Sequence, residues 1–379
     1  MKIAIHAADL DDERIDGTRV YILKMLEYFG NISSEDEFLI YHKSDFNPEL
    51  TPPDFSNYSI SKKNYPFLWT QTRFAWEVFR DNPDVLWMPV HNIPFLRRGK
   101  MKTVVTIHDL AFKIFPEYFP KKDLKKLNFL AGLSIRNSHK IIAISEATKK
   151  DILKFYPEIS EEKIKVIHHG FDGEMFFEKV QEKEMEKVLK KFSLFDSQIS
   201  NPKSQYLLYV GAIQPRKDLV TLVKAFEIFK KKTNSDIKLV LAGGKAWMWE
   251  KTIEVVEKSE FRSDIVLTGK VSFSELVVLY QNAELFVFPE MYAGFGIPIL
   301  EAFACGVSVI TARNSSLIEV GGDAAQFFKT SDSIDLSEKI EKVLGSEELQ
   351  TSMIQKGLTH LKNFSWEKCA KETLDVIKN

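Results

Sequence analysis

Short apolar runs alternate along this chain with longer segments in which apolar residues recur every three to four positions. Because strands buried on both faces of a sheet read as continuous apolar runs, this alternation predicts parallel sheets covered by helices. The first series of predicted strands covers residues 3–6, 38–42, 85–88, 103–107, 140–144 and 165–168. The second series covers residues 206–210, 237–242, 264–268, 285–288, 307–310 and a weaker 325–328.

The two series predict two doubly wound α/β domains, residues 1–178 and 205–363. The segment 179–204 between them is rich in Lys, Glu and Ser, which predicts a helix and a linker. The amphipathic residues 364–379 predict a last helix, which we expect to join the N-terminal domain. Open α/β sheets bind ligands at the carboxyl ends of their strands, so we expect the two sheets to face a central cleft.

Composition narrows the class of protein and its surroundings. With 379 residues, 44% apolar content and a net charge of -1, the chain has no global bias toward nucleic acid. Its two cysteines, Cys305 and Cys369, are too few for a disulfide framework and favour a reducing cytoplasm. No stretch approaches the roughly 18 consecutive apolar residues of a spanning helix. We therefore expect a cytoplasmic protein with at most peripheral membrane contact.

The most informative motif is the segment 284–306, ELFVFPEMYAGFGIPILEAFACG. It predicts a strand, a turn containing Gly294 and Gly296, and a helix whose free N–H groups suit oxygen-rich or anionic ligands. The alternative is a strand-turn-helix without a ligand, in which the backbone conformation alone requires the two glycines. Glu301 favours function, because a carboxylate among apolar helix residues needs hydrogen-bond donors and could accept two ribose hydroxyls.

Basic and imidazole side chains follow two other predicted strands. Arg216 and Lys217 stand at a strand-to-helix turn, where they can neutralise a diphosphate, although a solvated basic pair is the alternative. His108 and Asp109 end the strand 103–107 and should lie at the carboxyl edge of the first sheet. A single histidine in such a place is more often a structural hydrogen bonder than a catalyst.

Three further features have ordinary interpretations beside functional ones. Asp9 and Asp11 imitate a metal-binding pair but lack further ligands, so we expect a solvated acidic turn and no metal site. Ser145 is predicted to cap a helix. Residues 113–130 combine lysines with aromatic residues, which suits an anionic membrane or a lipid-linked acceptor. The alternative for that segment is a solvated helix face with a buried underside.

Taken together, these segments resemble glycosyltransferase family 4, retaining enzymes with the GT-B fold. Further similar stretches are TIHDLAFKIFPEYFP (106–120), AISEATKKDI (143–152), VIHHGFDGEMF (166–176), TGKVSFSELVVLYQNAELFVFPE (268–290) and FSWEKCAKETL (364–374). The resemblance covers nearly the whole chain. It implies two Rossmann-like domains and transfer of a hexose from a nucleoside diphosphate sugar, without a metal or another cofactor.

The resemblance also implies roles for particular residues. Arg216 and Lys217 would bind the diphosphate during catalysis, His108 would face the donor sugar, and Asp109 would lie on the acceptor side. The implied donor-binding residues are Gly17, Gly211, Lys270, Val271, Ala293, Gly294, Phe295, Gly296, Ile297 and Glu301. The similarity of residues 106–120 to mannosyltransferases favours GDP-mannose as donor. The acceptor would be a saccharide or a lipid-linked saccharide in glycan or cell-surface polysaccharide synthesis.

The chain departs from the family pattern at Ala293, where the family has a glutamate eight positions before the one matched by Glu301. Three explanations stay open: a natural variant, compensation by Glu290, or reduced activity. The rival functions are a sugar-nucleotide epimerase of the same fold and a catalytically weakened sugar-nucleotide-binding subunit. A dehydrogenase is disfavoured, because no Gly-x-Gly-x-x-Gly follows the first predicted strand.

Overall fold

The computed structural model describes residues 1–13, 15–171, 173–195 and 206–379. They form two compact units. The first, called the N-terminal unit, comprises Met1–Gly170 and Phe364–Asn379, and the second, the C-terminal unit, comprises Phe171–Asn363. Of the segment 179–204, predicted from the sequence as a helix and a linker, residues 196–204 lie outside the described residues.

The N-terminal unit is built on a seven-stranded sheet in which every neighbouring pair is parallel. Its strands are β1 (Lys2–His6), β2 (Glu37–His42), β3 (Tyr58–Lys62), β4 (Val85–Met88), β5 (Lys102–Ile107), β6 (Lys140–Ala143) and β7 (Ile164–Val166). Their spatial order is β3-β2-β1-β4-β5-β6-β7.

The C-terminal unit is built on a six-stranded parallel sheet. Its strands are β8 (Tyr206–Val210), β9 (Lys238–Ala242), β10 (Ile265–Gly269), β11 (Leu285–Phe288), β12 (Ser308–Ala312) and β13 (Ala325–Phe328). Their spatial order, β10-β9-β8-β11-β12-β13, is that of a dinucleotide-binding Rossmann sheet.

Helices connect most of the strands of both sheets, as is usual for parallel pairs, whereas the β2–β3 and β4–β5 connections contain no α-helix. In the N-terminal unit they are α1 (Gly17–Ile32), α2 (Arg73–Asp81), α3 (Ala111–Ile114), α4 (Lys121–Asn137) and α5 (Glu146–Phe155). The C-terminal unit contains α6 (Gly173–Phe177), α7 (Glu182–Lys191), α8 (Leu219–Thr233), α9 (Glu250–Glu257), α10 (Phe273–Gln281), α11 (Ile297–Ala304), α12 (Leu317–Gly321), α13 (Ser333–Leu344) and α14 (Glu347–His360). The last helix, α15 (Trp366–Lys378), returns to the N-terminal unit.

The apolar runs predict the sheets well and miss one strand. Each predicted strand has a counterpart, and β4, β8, β11 and β13 match their predicted bounds. The missed strand is β3, which lies at the edge of its sheet and mixes serine and lysine with its apolar residues. Its pattern of partial burial gives no continuous apolar run, so the sequence signal is weak.

The C-terminal helix α15 completes the N-terminal unit. Its apolar side chains, including Trp366 and Cys369, are buried there. The close approach of its start to Gly170 is decisive: a Cβ on Gly170 would lie 2.1 Å from the backbone nitrogen of Trp366. Residue 170 therefore has to be glycine for α15 to reach this position. Within the described residues, none of the helices combines the length and the apolar character needed to cross a membrane.

Candidate functional site

In each sheet, successive strands are first added on one side and then on the other. The change of side falls between β1 and β4 in the N-terminal sheet and between β8 and β11 in the C-terminal sheet. At such a switch point the loops leaving two neighbouring strands diverge and open a crevice at the carboxyl ends of the strands. In the C-terminal unit the switch point lies between β8 and β11. The loops that follow these strands, together with the start of α11, hold most of the donor-binding residues predicted from the sequence.

The loop after β8 makes an unusually close backbone contact with the end of β9. The Gly211 N–H donates to the Ala242 carbonyl at 2.9 Å, and a Cβ on Gly243 would lie 2.0 Å from the Gly211 carbonyl oxygen. Gly243 has φ +152° as well. Gly243 is not among the predicted site residues, although a Gly-Gly pair directly after a strand is a signal for a close backbone approach.

A buried carboxylate stands between the two cations predicted to bind a diphosphate. The Lys217 ammonium donates to a carboxylate oxygen of Glu290, and Arg216 Nη1 lies 3.7 Å from the other oxygen. Arg216 also donates to the Tyr292 carbonyl, and the Met291 N–H donates to the Arg216 carbonyl at 3.0 Å. Glu290 is 1% exposed. Two positive charges against one negative charge leave this part of the switch point with an excess of positive charge.

Glu301 lies one turn into α11, where its neighbours Leu300 and Ala302 are fully buried. The Tyr280 hydroxyl donates to Glu301 Oε2 at 2.9 Å. Removal from water raises the pKa of Glu301 to about 7, and the hydrogen bond from Tyr280 opposes this shift only in part. The carboxylate therefore has unused acceptor capacity, which hydroxyl donors of a ligand could fill.

The turn between β11 and α11 is held by two serines. Ala293 is buried; its N–H donates to Ser315 Oγ at 3.1 Å, and its carbonyl accepts from Ser316 Oγ at 2.7 Å. Ser316 also donates to the Phe295 carbonyl. Gly296 has φ +122°, a conformation that an L-residue rarely adopts, and caps α11. The position of the absent glutamate thus belongs to an ordered turn with satisfied backbone groups.

Three other predicted donor-binding residues, Lys270, Val271 and Gly17, lie outside the loops described above. Lys270 is exposed and, with Val271, follows β10, beside the bridge that pairs Gly243 with Gly269. Gly17 is the first residue of α1 and has no positive φ. Its role in donor binding stays a prediction.

His108 lies at the carboxyl end of β5 in the N-terminal unit. Its Nε2 donates to the Pro89 carbonyl at 2.8 Å, and burial lowers its pKa. A neutral ring with the proton on Nε2 leaves Nδ1 as an acceptor, which suits a hydroxyl donor. Asp109 accepts from the Ala111 N–H at 3.0 Å, so this carboxylate orders its own loop.

One carboxylate of the acidic turn after β1, that of Asp11, is not solvated as predicted. Asp11 Oδ2 accepts from the backbone N–H groups of Lys43 and Ser44 at 2.8 and 2.7 Å, and Oδ1 lies 3.2 Å from His42 Nδ1. The Asp11 side chain is 6% exposed. It is a structural acceptor that joins this turn to the end of β2. Ser145, predicted to cap a helix, accepts from the Thr148 N–H at 3.0 Å and begins α5.

A second crevice lies at the switch point of the N-terminal sheet, between β1 and β4. A pocket of about 340 Å³ opens there, and the sequence analysis did not foresee it. Its lining combines His6, Asp9, Lys43, Trp69, Thr70, His91 and Asn92 with Lys126, Leu127 and Leu130 of α4. The ring and hydroxyl of the adjacent His6 and Thr70 lie 3.2 Å apart. Among the described residues, no group of His, Cys, Asp and Glu side chains is placed to hold a metal ion.

The two Rossmann-like units, each built on a parallel sheet, define the fold as GT-B. Two family models match: "Glycosyltransferase Family 4" over residues 31–174 and "Glycosyl transferases group 1" over residues 190–360. The chain belongs to the family 4 type of glycosyltransferase and is a transferase enzyme.

Individual relatives match along most of the chain. O-antigen chain mannosyltransferase B of Escherichia coli is 26% identical over 382 residues, which cover 96% of either chain. O-antigen chain mannosyltransferase RfbU of Salmonella typhimurium is 26% identical over 326 residues, 82% of either chain. The crystal structure of Anabaena HepE in complex with UDP and glucose superposes with a TM-score of 0.74 at 14% identity, covering both chains fully. At this low sequence identity, the similarity to HepE is evidence for the fold alone.

Proposed function

We propose that this enzyme transfers a hexose from a nucleoside diphosphate sugar to a saccharide acceptor, with retention of the anomeric configuration. GDP-mannose is the proposed donor, and a growing cell-surface polysaccharide, free or lipid-linked, is the proposed acceptor. The mannosyltransferase names of the two relatives, each 26% identical, support mannose and polysaccharide synthesis. The UDP and glucose bound in Anabaena HepE support a nucleotide-sugar donor.

One observation carries the proposal: Arg216 and Lys217 meet Glu290 at the switch point of the C-terminal sheet. A donor diphosphate brings two negative charges, and the excess positive charge there attracts it. Arg216 can bind two phosphate oxygens and Lys217 can act as a compact charge. Both would stabilise the nucleoside diphosphate as the glycosidic bond breaks, so that no metal ion is required for this task.

Glu301 supplies the second half of the proposed donor site. Its free acceptor capacity suits the two hydroxyls of a ribose, while the backbone after β10, at Lys270 and Val271, would meet the base. We propose no protein nucleophile. In the proposed mechanism the acceptor attacks from the face that the diphosphate leaves, and the departing phosphate takes the acceptor proton.

The acceptor side is proposed to lie in the N-terminal unit. His108 would accept a hydrogen bond from a hydroxyl group of the donor sugar through Nδ1. A lipid-linked acceptor would bring the enzyme to the cytoplasmic face of a membrane. The nucleotide-sugar donor would be dissolved in the cytoplasm on that same side.

A thermal-shift screen of GDP-, UDP- and ADP-sugars tests the donor proposal, because a ligand of the folded state raises its stability by about 2.7 kcal/mol at a hundred times its Kd. GDP-mannose should give the largest shift, and the Glu301→Ala variant should lose most of it. Transfer of labelled mannose to a polysaccharide acceptor then tests the reaction. Formation of an epimer from donor alone would favour the epimerase, and the absence of any nucleotide-sugar shift would overturn the proposal.

A further inference from the structure

Tyr280 is a buried side chain whose hydroxyl group ends beside the candidate donor site. It lies in the last turn of α10, and the centroid of its ring is 5.9 Å from that of Phe176 in α6 and 5.4 Å from that of Phe286 in β11. A phenylalanine would make the same ring contacts. Burying a hydroxyl group costs free energy unless it is hydrogen-bonded, so the partner of this hydroxyl is informative.

Two oxygens compete for the hydroxyl proton of Tyr280. Glu301 Oε2 lies 2.9 Å from the hydroxyl oxygen, and the Pro298 carbonyl oxygen lies 3.3 Å from it. A hydroxyl group has a single proton, and an ionised carboxylate is the stronger acceptor of the two. Tyr280 therefore donates to Glu301 as long as that carboxylate is charged.

This hydrogen bond restricts a side chain that is otherwise flexible. A glutamate has several rotatable side-chain bonds, and Glu301 is half-buried on α11, with solvent on part of its side chain. Among the described residues, Tyr280 is the one side chain that donates to this carboxylate. The bond at Oε2 fixes the plane of the carboxylate before a ligand arrives, so less conformational freedom is lost on binding.

The same bond favours the ionised form of Glu301. The pKa of this carboxyl is raised to about 7, because its removal from water outweighs the opposing hydrogen bond from Tyr280. Burial and the nearby Glu301 raise the pKa of Tyr280 well above its ordinary value, so the phenol stays a donor across the neutral range. Without that hydroxyl, Glu301 would hold its proton to a higher pH.

Two further titratable side chains lie near this pair, and both are neutral in the same pH range. Cys305 follows α11 directly; its thiol donates to the Phe176 carbonyl at 3.6 Å, and burial raises its pKa. Burial also raises the pKa of Tyr209, a phenol on β8. Within the part of the chain that the structure describes, burial and Tyr280 are the influences on the pKa of Glu301.

We propose that Tyr280 is a positioning residue of the donor site: its hydroxyl holds Glu301 through Oε2 and leaves the rest of that carboxylate to accept the two hydroxyls of the donor ribose. This inference rests on the proposed function, which supplies the ribose as the ligand of Glu301. Tyr280 acts through Glu301 alone and contacts no ligand itself. Donor binding consequently depends on pH with a midpoint that Tyr280 helps to set.

The Tyr280→Phe variant removes the hydroxyl and keeps the ring. Carbon NMR of labelled glutamate carboxyl groups in the donor-free protein should show the Glu301 midpoint raised by about one pH unit, the typical effect of a hydrogen bond to a charged group. Calorimetric titration with an intact sugar nucleotide should follow the same shift. The loss of affinity against the parent should be about fourfold greater at about pH 7 than at about pH 8.5. A loss of about threefold that persists at the higher pH reports the missing orientation of the carboxylate.

Tyr206→Phe is the matched control, because Tyr206 is equally buried and its hydroxyl donates to the Leu279 carbonyl at 2.6 Å, away from Glu301. It should lower the Tm by a similar amount and leave both midpoints unchanged. In a Glu301→Gln background, Tyr280→Phe should no longer affect the pH dependence of binding.

An unchanged Glu301 midpoint in Tyr280→Phe, or a loss of affinity that is equal at every pH, would overturn the inference. The proposed function fails in a different way, namely if the parent binds no sugar nucleotide at any pH. In that case the ribose role of Tyr280 fails with it, while the carboxyl titration still decides whether Tyr280 controls the ionisation of Glu301.

Discussion

The carboxylate of Glu290 binds the ammonium of Lys217 across 73 residues of sequence, at the point where the C-terminal sheet reverses its strand order. Glu290 follows β11 and Lys217 precedes α8, so the pair joins the two loops that a bound donor would occupy. The buried anion keeps two cations together that would otherwise repel each other. It also competes with an incoming diphosphate for the same charges.

We predict that Glu290→Gln destabilises the donor-free enzyme by about 3 kcal/mol and increases its affinity for a nucleoside diphosphate. The change removes the buried negative charge that Arg216 and Lys217 share, and removing one partner of a buried ion pair costs about that much. Urea unfolding measures the first effect and calorimetric titration the second. Glu338→Gln, an exposed change on α13, should alter neither. Weaker nucleotide binding in Glu290→Gln would instead mean that Glu290 contacts the donor.

Lys217→Gln should lower kcat at least about a hundredfold, because a preorganised charge on the leaving group is lost. Fold stability should change much less than in Glu290→Gln, since Glu290 keeps Arg216 as a partner. Lys224→Gln is the control, as Lys224 is exposed on the neighbouring helix α8. A steady-state transfer assay decides, and an unchanged kcat would remove Lys217 from the proposed mechanism.

Glu301 should make both donor binding and stability depend on pH near neutrality. A nucleotide sugar whose ribose donates to the carboxylate should bind about tenfold more tightly at about pH 8 than at about pH 6, given a pKa of about 7. Titration calorimetry with an intact sugar nucleotide measures this, because its diphosphate does not titrate in that range. The Glu301→Gln variant should show no such rise.

The stability effect of Glu301 has the opposite direction. Its pKa in the folded protein lies above the ordinary value of 4.5, so the folded state holds the proton more tightly. The associated stability is fully present below pH 4.5 and is lost as the pH rises toward about 7. A loss of about 3 kcal/mol across this window is expected, and Glu301→Gln should abolish that part of the pH dependence in urea unfolding.

Ala293→Glu tests the meaning of the absent glutamate. We expect nucleotide affinity to stay within about twofold, because the phosphate cations and Glu301 are unaltered, while kcat or the preference among sugars changes. Competition between GDP-mannose and GDP-glucose in one transfer assay measures the preference. A large loss of nucleotide affinity would show that the turn held by Ser315 and Ser316 cannot accept the larger side chain.

Gly170→Ala should destabilise the N-terminal unit by about 3 kcal/mol, because the new Cβ meets the backbone at the start of α15. Gly99→Ala is a matched control in the same unit, where a Cβ would meet nothing within 4 Å. Hydrogen exchange should locate the effect in α15 and in α1, which packs against it. Equal stability of the two variants would contradict the close approach at Gly170.

Periodicity and composition predict the sheets, and they fail where structure depends on contacts distant in sequence. The apolar runs locate β8 and β11, but nothing in them pairs Lys217 with Glu290, so the sequence leaves the role of Glu290 open. The same limit applies to Asp11. The sequence predicts a solvated turn there, because it does not show that the end of β2 lies beside this carboxylate. The missed edge strand β3 lacks the continuous apolar run of its neighbours.

The return of α15 to the N-terminal unit has a consequence for the order of events during synthesis. Residues 171–363 of the C-terminal unit are continuous, so that unit can fold as soon as they leave the ribosome. The N-terminal unit is made first but lacks α15 until the final residues of this sequence emerge. The surface around Tyr21 and Gly170, which α15 covers in the folded protein, therefore stays exposed while the rest of the chain is translated.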